Sequence, residues 1–264
     1  TQLDDGTPLY IPDDLVFDII EHPYFQRLRR IQQLGMTHLV YPGALHTRFH
    51  HAIGAMYLMR QALDVIVSKG YKLSHEELLG ATLAILLHDI GHGPFSHALE
   101  FSIIKDIKHE EVSLEIMKAL NNEFNNQISE AIDIFSNQHS KKCLHQLVAG
   151  QTDTDRLDYL TRDSFFTGVS EGIIGTERII SMMQVVDDKL VIEEKGLFSI
   201  EKFIIARQLM YWQVYYHKTV VSAEVLLIKI LQRAHFLALQ GVKVPASSNL
   251  EPFLNNEIDK NVFL

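Results

Sequence analysis

The 264-residue sequence has one cysteine, one tryptophan, fewer basic than acidic residues and no long uninterrupted apolar run. Each shortage excludes something. The single thiol, Cys143, cannot close an internal disulfide. Without flanking cysteines it is also a poor start for a thiolate metal site, so it reads as a packing residue. The apolar runs stay short of the roughly 18 residues that a membrane helix needs. The opening TQLDDGTPLY lacks the basic and apolar regions of a secretory signal, which leaves a membrane or export reading without support and points to the cytoplasm. The chain starts without Met, so a leader removed upstream would escape this reading.

With 24 Lys and Arg against 33 Asp and Glu, the formal net charge is −9. Broad nucleic-acid binding depends on cations that neutralise phosphates, so nucleic acid is not expected as the main substrate. A small anionic substrate is compatible with this charge only if arginines, lysines and a metal build a local positive pocket against the overall field.

Helical patterns dominate what is present. DDLVFDIIEH, PYFQRLRRIQQL, residues 50–67 and HEELLGATLAILLHD each repeat apolar residues at helical spacing, and Ser74 with Glu77 forms a capping-box signature. Shorter helices are expected in HEEVSLEIMKAL, QISEAIDIF and KKCLHQLVAG, and another starts near Asp155. MQVVDDKLVIEEKGLFS is the one sheet signal, two β-branched runs around an Asp-Asp turn. Residues 199–239 have almost no breaker and imply one or two long buried helices, after which Gly241 and Pro245 mark a loop. The closing EPFLNNEIDKNVFL shows no stable pattern. The expected fold is all-α with a small β-hairpin, arranged as one domain over 1–241 followed by a loop and the start of a C-terminal extension over 242–264.

The chemistry is concentrated around His88 and Asp89 in LLHDIGHGPFSH. Imidazole and carboxylate together suit borderline and hard divalent ions, provided further ligands arrive from elsewhere. His51, in HTRFHH, and Asp155, in TDTDRLDYLTRD, are the candidates. Gly91, Gly93 and Pro94 break the helix after the doublet and leave it at a helix end. A metal acidifies water and stabilises charge on a phosphoryl oxygen, and a nearby proton donor such as His97, held by Glu100, would serve a leaving alkoxide. Each ligand also has an ordinary explanation: His88 as a helix C-cap, Asp89 as a solvated acid, His51 as a packed core residue. On a helix turning about 100° per residue, Asp155, Tyr159 and Asp163 share one face, while Arg207, Tyr211, Tyr215 and Lys218 fall within about 80°. That second stripe suits a phosphate chain, or equally cations snorkelling beside core tyrosines.

HTRFHH, HDIGHGPFSH and DTDRLDYLTRD, in that order, resemble the H…HD…D signature of the HD-domain metal-dependent phosphohydrolases. QRLRRIQQLG, YPGALHTRFHHAIG, GHGPFSH and YYHK are similar to its deoxynucleoside triphosphate triphosphohydrolase branch, which includes the bacterial dGTPases. The resemblance implies an HD-domain helical bundle with His51, His88, Asp89 and Asp155 as ligands of a divalent ion, which could be Mn, Fe, Co, Ni, Zn or Mg. It implies His92, His97 and His109 in the catalytic pocket, with His97 facing the scissile phosphate. Arg48, Arg156, Tyr159, Arg207 and Lys218 match positions that hold the triphosphate or shape its pocket. Gln33, Leu34 and Asp163 match those around the deoxyribose, and Tyr215 matches one near the base. The implied reaction is attack of metal-activated water on the α-phosphorus of a dNTP, releasing a deoxynucleoside and intact inorganic triphosphate.

Two departures matter. His50 takes a place often acidic in relatives, and Tyr211 stands where some have a histidine beside the base, so base preference does not carry over. The family also implies a homo-oligomer and, in some members, a nucleotide activator between subunits. Glu21, Gln26 and Arg29 resemble part of such a site, although a solvated basic helix face accounts for them more simply. The competing functions are an HD phosphohydrolase acting on a nucleoside monophosphate or cyclic dinucleotide, and a non-catalytic nucleotide-binding module. The absence of a GYP motif lowers the cyclic dinucleotide reading.

Overall fold

The computed structural model describes residues 11, 13–95, 98–99, 102–103 and 107–255. Short helices α1 (Asp14–Glu21) and α2 (Pro23–Gln26) lead into two core elements, α3 (Arg48–Ser68) and α4 (His75–Leu87). After them come α5 (His109–Glu123), α6 (Ser129–Phe135), α7 (Lys142–Ala149) and α8 (Thr154–Thr167). The order continues with α9 (Thr176–Ser181), a hairpin of β1 (Met183–Val186) and β2 (Lys189–Ile192), α10 (Leu197–Met210), α11 (Lys218–Leu239) and α12 (Glu251–Leu254). Among the described residues the fold is all-α with one small antiparallel hairpin, as the sequence pattern predicts.

The core forms where apolar residues occupy most of a helix circumference. All residues from Gly80 to Leu87 of α4 are buried, which places this helix centrally. α3 packs against it, with Met56, Met59, Leu63 and Ile66 buried in the same core, and α3 also packs against α8. The start of α4 is fixed by the expected capping box: Ser74 N donates to Glu77 Oε2 at 2.8 Å and Glu77 N to Ser74 Oγ at 3.2 Å. The start of α3 uses His50 in the acidic partner's role, since Thr47 N donates to His50 Nδ1 at 3.1 Å. The hairpin turns through Asp187 and Asp188, both with positive φ, the conformation a two-residue turn requires.

Three expectations are corrected. PYFQRLRRIQQL is not one helix: α2 tightens into a 3-10 turn over Arg27–Arg30 and then ends. Ile31 turns extended because its stretch pairs with the approach to α3, where Arg48 N donates to Ile31 O and Gln33 N to His46 O. The long segment after Ser199 forms two helices, as one of the expected alternatives, but is mostly half-buried or exposed rather than buried. A π-turn over Tyr211–Tyr215 and an extended His217 separate α10 from α11, and Val220 is the one buried residue of α11. The closing stretch begins with the short helix α12 before passing beyond the described residues.

Candidate active site

The ends of three helices meet at one place. His88 is the C-cap of α4 and Asp89 follows it, Arg48 and His51 occupy the first turns of α3, and Asp155 lies in the first turn of α8. Asp153 caps α8 by accepting from Arg156 N at 2.7 Å, which sets the direction of Asp155. The sequence-derived ligand set therefore converges. His51 Nε2 stands 3.1 Å from Asp155 Oδ1, 3.4 Å from His88 Nε2 and 3.9 Å from Asp89 Oδ2. His88 Nε2 stands 3.5 Å from both Asp89 Oδ1 and Asp155 Oδ1.

These separations fit a single ion. With ligand bonds of about 2.0–2.2 Å, donors around one metal stand roughly 3.0–3.6 Å apart; His51, His88 and Asp155 meet this among themselves, while Asp89 is in range of His88 but not of His51 and also groups with His92 and His109. The charge state agrees. Burial alone would lower the His51 imidazole, yet hydrogen bonds to Asp155 and Asp158 carry it well above its ordinary value. Burial likewise opposes the charge on His88, while Asp89 and Asp155 raise it. The two carboxylates move the other way: despite burial, the neighbouring imidazoles hold both below the usual range, with Arg48 adding to the effect at Asp89. Such a donor set attracts positive charge, and a divalent ion competes with protons for it.

Around the cluster the structure assembles most of the remaining candidates. His92 approaches Asp89 Oδ1 at 3.3 Å and stacks on His109 with ring centroids 3.8 Å apart. Burial pushes the His92 imidazole down to about 3, so it is neutral near pH 7. Arg48 forms an ion pair with Asp89 through Nη1, while its buried Nε has no partner among the described residues. A row of rings runs outward from His51 through Tyr159 and Tyr215 to Tyr211, over which the Arg207 guanidinium lies at 5.4 Å. Tyr215 donates to Asp163 Oδ2 at 2.7 Å. Leu34 packs at the edge of the core beside Gln33.

Other candidates are placed differently. Arg156 turns back to Asp153, with Nε 3.3 Å from Oδ2. Lys218 opens α11 beyond the bend at His217, its side chain is exposed, and the π-turn removes it from the continuous helical face expected with Arg207, Tyr211 and Tyr215. His97 and Glu100 lie outside the described residues.

Sequence reasoning missed two residues. Asp158 Oδ2 is 2.8 Å from His51 Nδ1, and burial pushes its carboxyl up to about 6, still ionised at neutral pH opposite Arg162. His46 Nε2 is 2.7 Å from Asp163 Oδ1, and its ring stacks on Phe166. Neither pair has a distinctive spacing. The only signal was their position inside the same HTRFHH and DTDRLDYLTRD neighbourhoods as the ligands.

Comparison with known proteins agrees with this geometry. The HD domain family model matches residues 48–163, which contain the whole cluster, and the HD associated region matches 174–240. A solved phosphohydrolase structure from Bacteroides thetaiotaomicron is 54% identical, with a TM-score of 0.93 over 96% of this chain and 65% of that one. This chain belongs to the HD-domain phosphohydrolases. The uncharacterized protein YwfO of Bacillus subtilis is 37% identical to this HD-domain phosphohydrolase over 243 residues, 88% of this chain and 55% of that protein. A Dictyostelium discoideum homologue of the deoxynucleoside triphosphate triphosphohydrolase SAMHD1 is 30% identical over 80% of this chain and 45% of its own length. The chain thus spans about half the length of these curated relatives.

Proposed function

We propose that this HD-domain phosphohydrolase cleaves deoxynucleoside triphosphates to a deoxynucleoside and inorganic triphosphate. The observation that carries the reading is the set of buried polar atoms without partners among the described residues: Gln33 Oε1, His46 Nδ1, Arg48 Nε and Arg207 Nε. Buried polar groups are rarely left unpaired, so such orphans mark where a ligand's polar groups belong. Gln33, His46 and Asp163 suit a sugar hydroxyl, and Arg48 and Arg207 suit phosphate oxygens. The first turns of α3 and α8 add the positive ends of two helix dipoles, which favours an anion despite the net charge of −9. The name of the Dictyostelium relative points to the same substrate class.

His51, His88, Asp89 and Asp155 would hold the divalent ion. Bound there, it supplies Lewis acidity that activates water near neutral pH and offsets charge on a phosphoryl oxygen. The protein's own groups position the rest. Arg48 and Arg207 orient the phosphate chain; Arg156, turned back to Asp153, and the exposed Lys218 would have to swing inward to join them. The row Tyr159, Tyr215, Tyr211, whose neighbouring rings meet edge to face, lines the space for sugar and base, and Leu34 limits the space beside the sugar. Neutral His92, with the His109 ring stacked on it, orients polar groups beside Asp89, and His97 with Glu100 takes the role of donating a proton to the departing 5′-oxygen. Water adds to the α-phosphorus, the bond from phosphorus to the 5′-oxygen breaks, and the triphosphate leaves intact. A homo-oligomer, a nucleotide activator and a cytoplasmic place of action belong to the same reading, carried over from the family resemblance. No described helix is long and apolar enough to cross a membrane.

The test is product analysis of Mn²⁺-loaded protein with each dNTP, nucleoside monophosphates and a cyclic dinucleotide. Inorganic triphosphate plus deoxynucleoside is expected, abolished in Asp155→Ala. Monophosphate hydrolysis or a linear dinucleotide as the main reaction would replace this reading with the other phosphoester one, and no turnover of any substrate would favour the binding module.

A further inference from the structure

Asp158 occupies a position that no ligand role explains. Its carboxylate is buried on α8, one helical turn from Asp155, and faces the nitrogen of His51 that points away from the cluster. Arg162 grips it from the other side: Arg162 Nε donates to Oδ2 and Nη2 to Oδ1, both at 2.9 Å. This pair sits in a notch where α8 crosses α3 at Gly54. A Cβ at Gly54 would stand 2.0 Å from both Arg162 Nη2 and Asp158 Oδ1, so only glycine leaves room for it. The side chains of His51, Asp158 and Arg162 are 0%, 6% and 10% exposed, which leaves water little opportunity to compete for these bonds.

A carboxylate locked to a guanidinium can only accept from the imidazole. His51 must then carry a proton on Nδ1, and when it is neutral its lone pair resides on Nε2. We propose that Asp158 is a positioning residue that fixes the tautomer and ring orientation of His51, with Arg162 and the Gly54 notch holding Asp158 in place. The inference rests on reading His51 as a metal ligand. It adds that the affinity of the centre is set in part by the α3–α8 contact behind it. A carboxylate behind a ligating histidine holds the ring and raises its basicity, and its loss typically weakens metal binding by about 10–100-fold.

The experiment compares the full chain with Asp158→Asn and Arg162→Gln. Mn²⁺ affinity is measured by calorimetry, apo-protein folding by circular dichroism, and the His51 tautomer by long-range ¹H–¹⁵N correlation on Zn²⁺-loaded protein. Asp158→Asn is expected to bind Mn²⁺ about 10–100-fold more weakly while still folding. Arg162→Gln should show a smaller loss in the same direction, and it carries the test if the first variant does not fold. Wild-type His51 should show its proton on Nδ1. Unchanged affinity in both variants would overturn the role of Asp158 alone, whereas a wild-type proton on Nε2 would show that this nitrogen holds no metal and would remove the ligand assignment as well. Wild-type protein that binds no Mn²⁺ would remove the ligand assignment and this inference together.

Discussion

An imidazole can direct only one nitrogen at a target if the other is already committed, and His46, like His51, is committed to an aspartate of α8. His46 gives Nε2 to Asp163, whose second oxygen accepts from Tyr215. His46→Phe keeps the stack on Phe166 but leaves Asp163 without one buried partner. A hydrogen bond to a charged group contributes about 1.5–3 kcal/mol, so KM for the nucleotide should rise at least tenfold while Mn²⁺ content stays unchanged. Steady-state kinetics with metal analysis checks this, and an unchanged KM would detach His46 from substrate binding. The residues legible in the sequence were those with unusual chemistry at fixed spacing: the His88–Asp89 doublet, His51 beside Arg48, and Asp155 near a helix start. His46 and Asp158 were not legible, because a supporting residue needs only the right distance in space and leaves no regular spacing along the chain.

At the level of elements, the turn after the doublet is held by two side chains. Arg27 reaches in to the carbonyls of Ile90 and His92, while Ser113 Oγ accepts from Gly91 N at 2.9 Å and donates to His88 O at 2.8 Å. Gly91 makes this contact possible: a Cβ there would stand 2.2 Å from His109 O and 2.4 Å from Ser113 N. Gly91→Ala must therefore push α5 away, at a cost of about 1–3 kcal/mol. A lower urea midpoint with an unchanged slope is expected, together with reduced turnover as His109 shifts from His92. Helix existence was readable from apolar spacing, whereas its interruptions were not. Ile31 obeys a pairing with residues far along the chain, and the turn at Tyr211–Tyr215, closed by Tyr216 N donating to Tyr211 O at 2.8 Å, contains neither glycine nor proline. Apolar content also misled for α11, where Leu226 and Ile230 are exposed.

Across the whole molecule, charge is arranged in local networks rather than spread evenly. Far from the active site, Glu77 accepts from Lys141 Nζ at 2.6 Å and from Ser74 N, while His139 meets Glu130 at 2.8 Å, tying α4, α6 and the approach to α7 together. Burial would raise the Glu77 carboxyl, but Lys141 and the Ser74 amide hold it below 4.5. Burial would also raise Asp188, yet Tyr71 and the Lys142 amide hold it below 3.8. Because the folded values lie below the unfolded ones, these groups contribute stability that is fully present above the unfolded values and lost as pH falls through the folded ones. Acid unfolding followed by circular dichroism should therefore steepen below pH 4.5, and Glu77→Gln should flatten that slope. Equal acid sensitivity in the variant would contradict the network's role.

The central claim is that the ends of α3, α4 and α8 present four donors to one divalent ion. Anomalous diffraction at the manganese edge, from crystals of Mn²⁺-loaded protein, tests it directly. The account predicts a strong peak about 2.0–2.3 Å from His51 Nε2, His88 Nε2 and the carboxylates of Asp89 and Asp155. A featureless map at that point, or manganese bound only elsewhere, would contradict it.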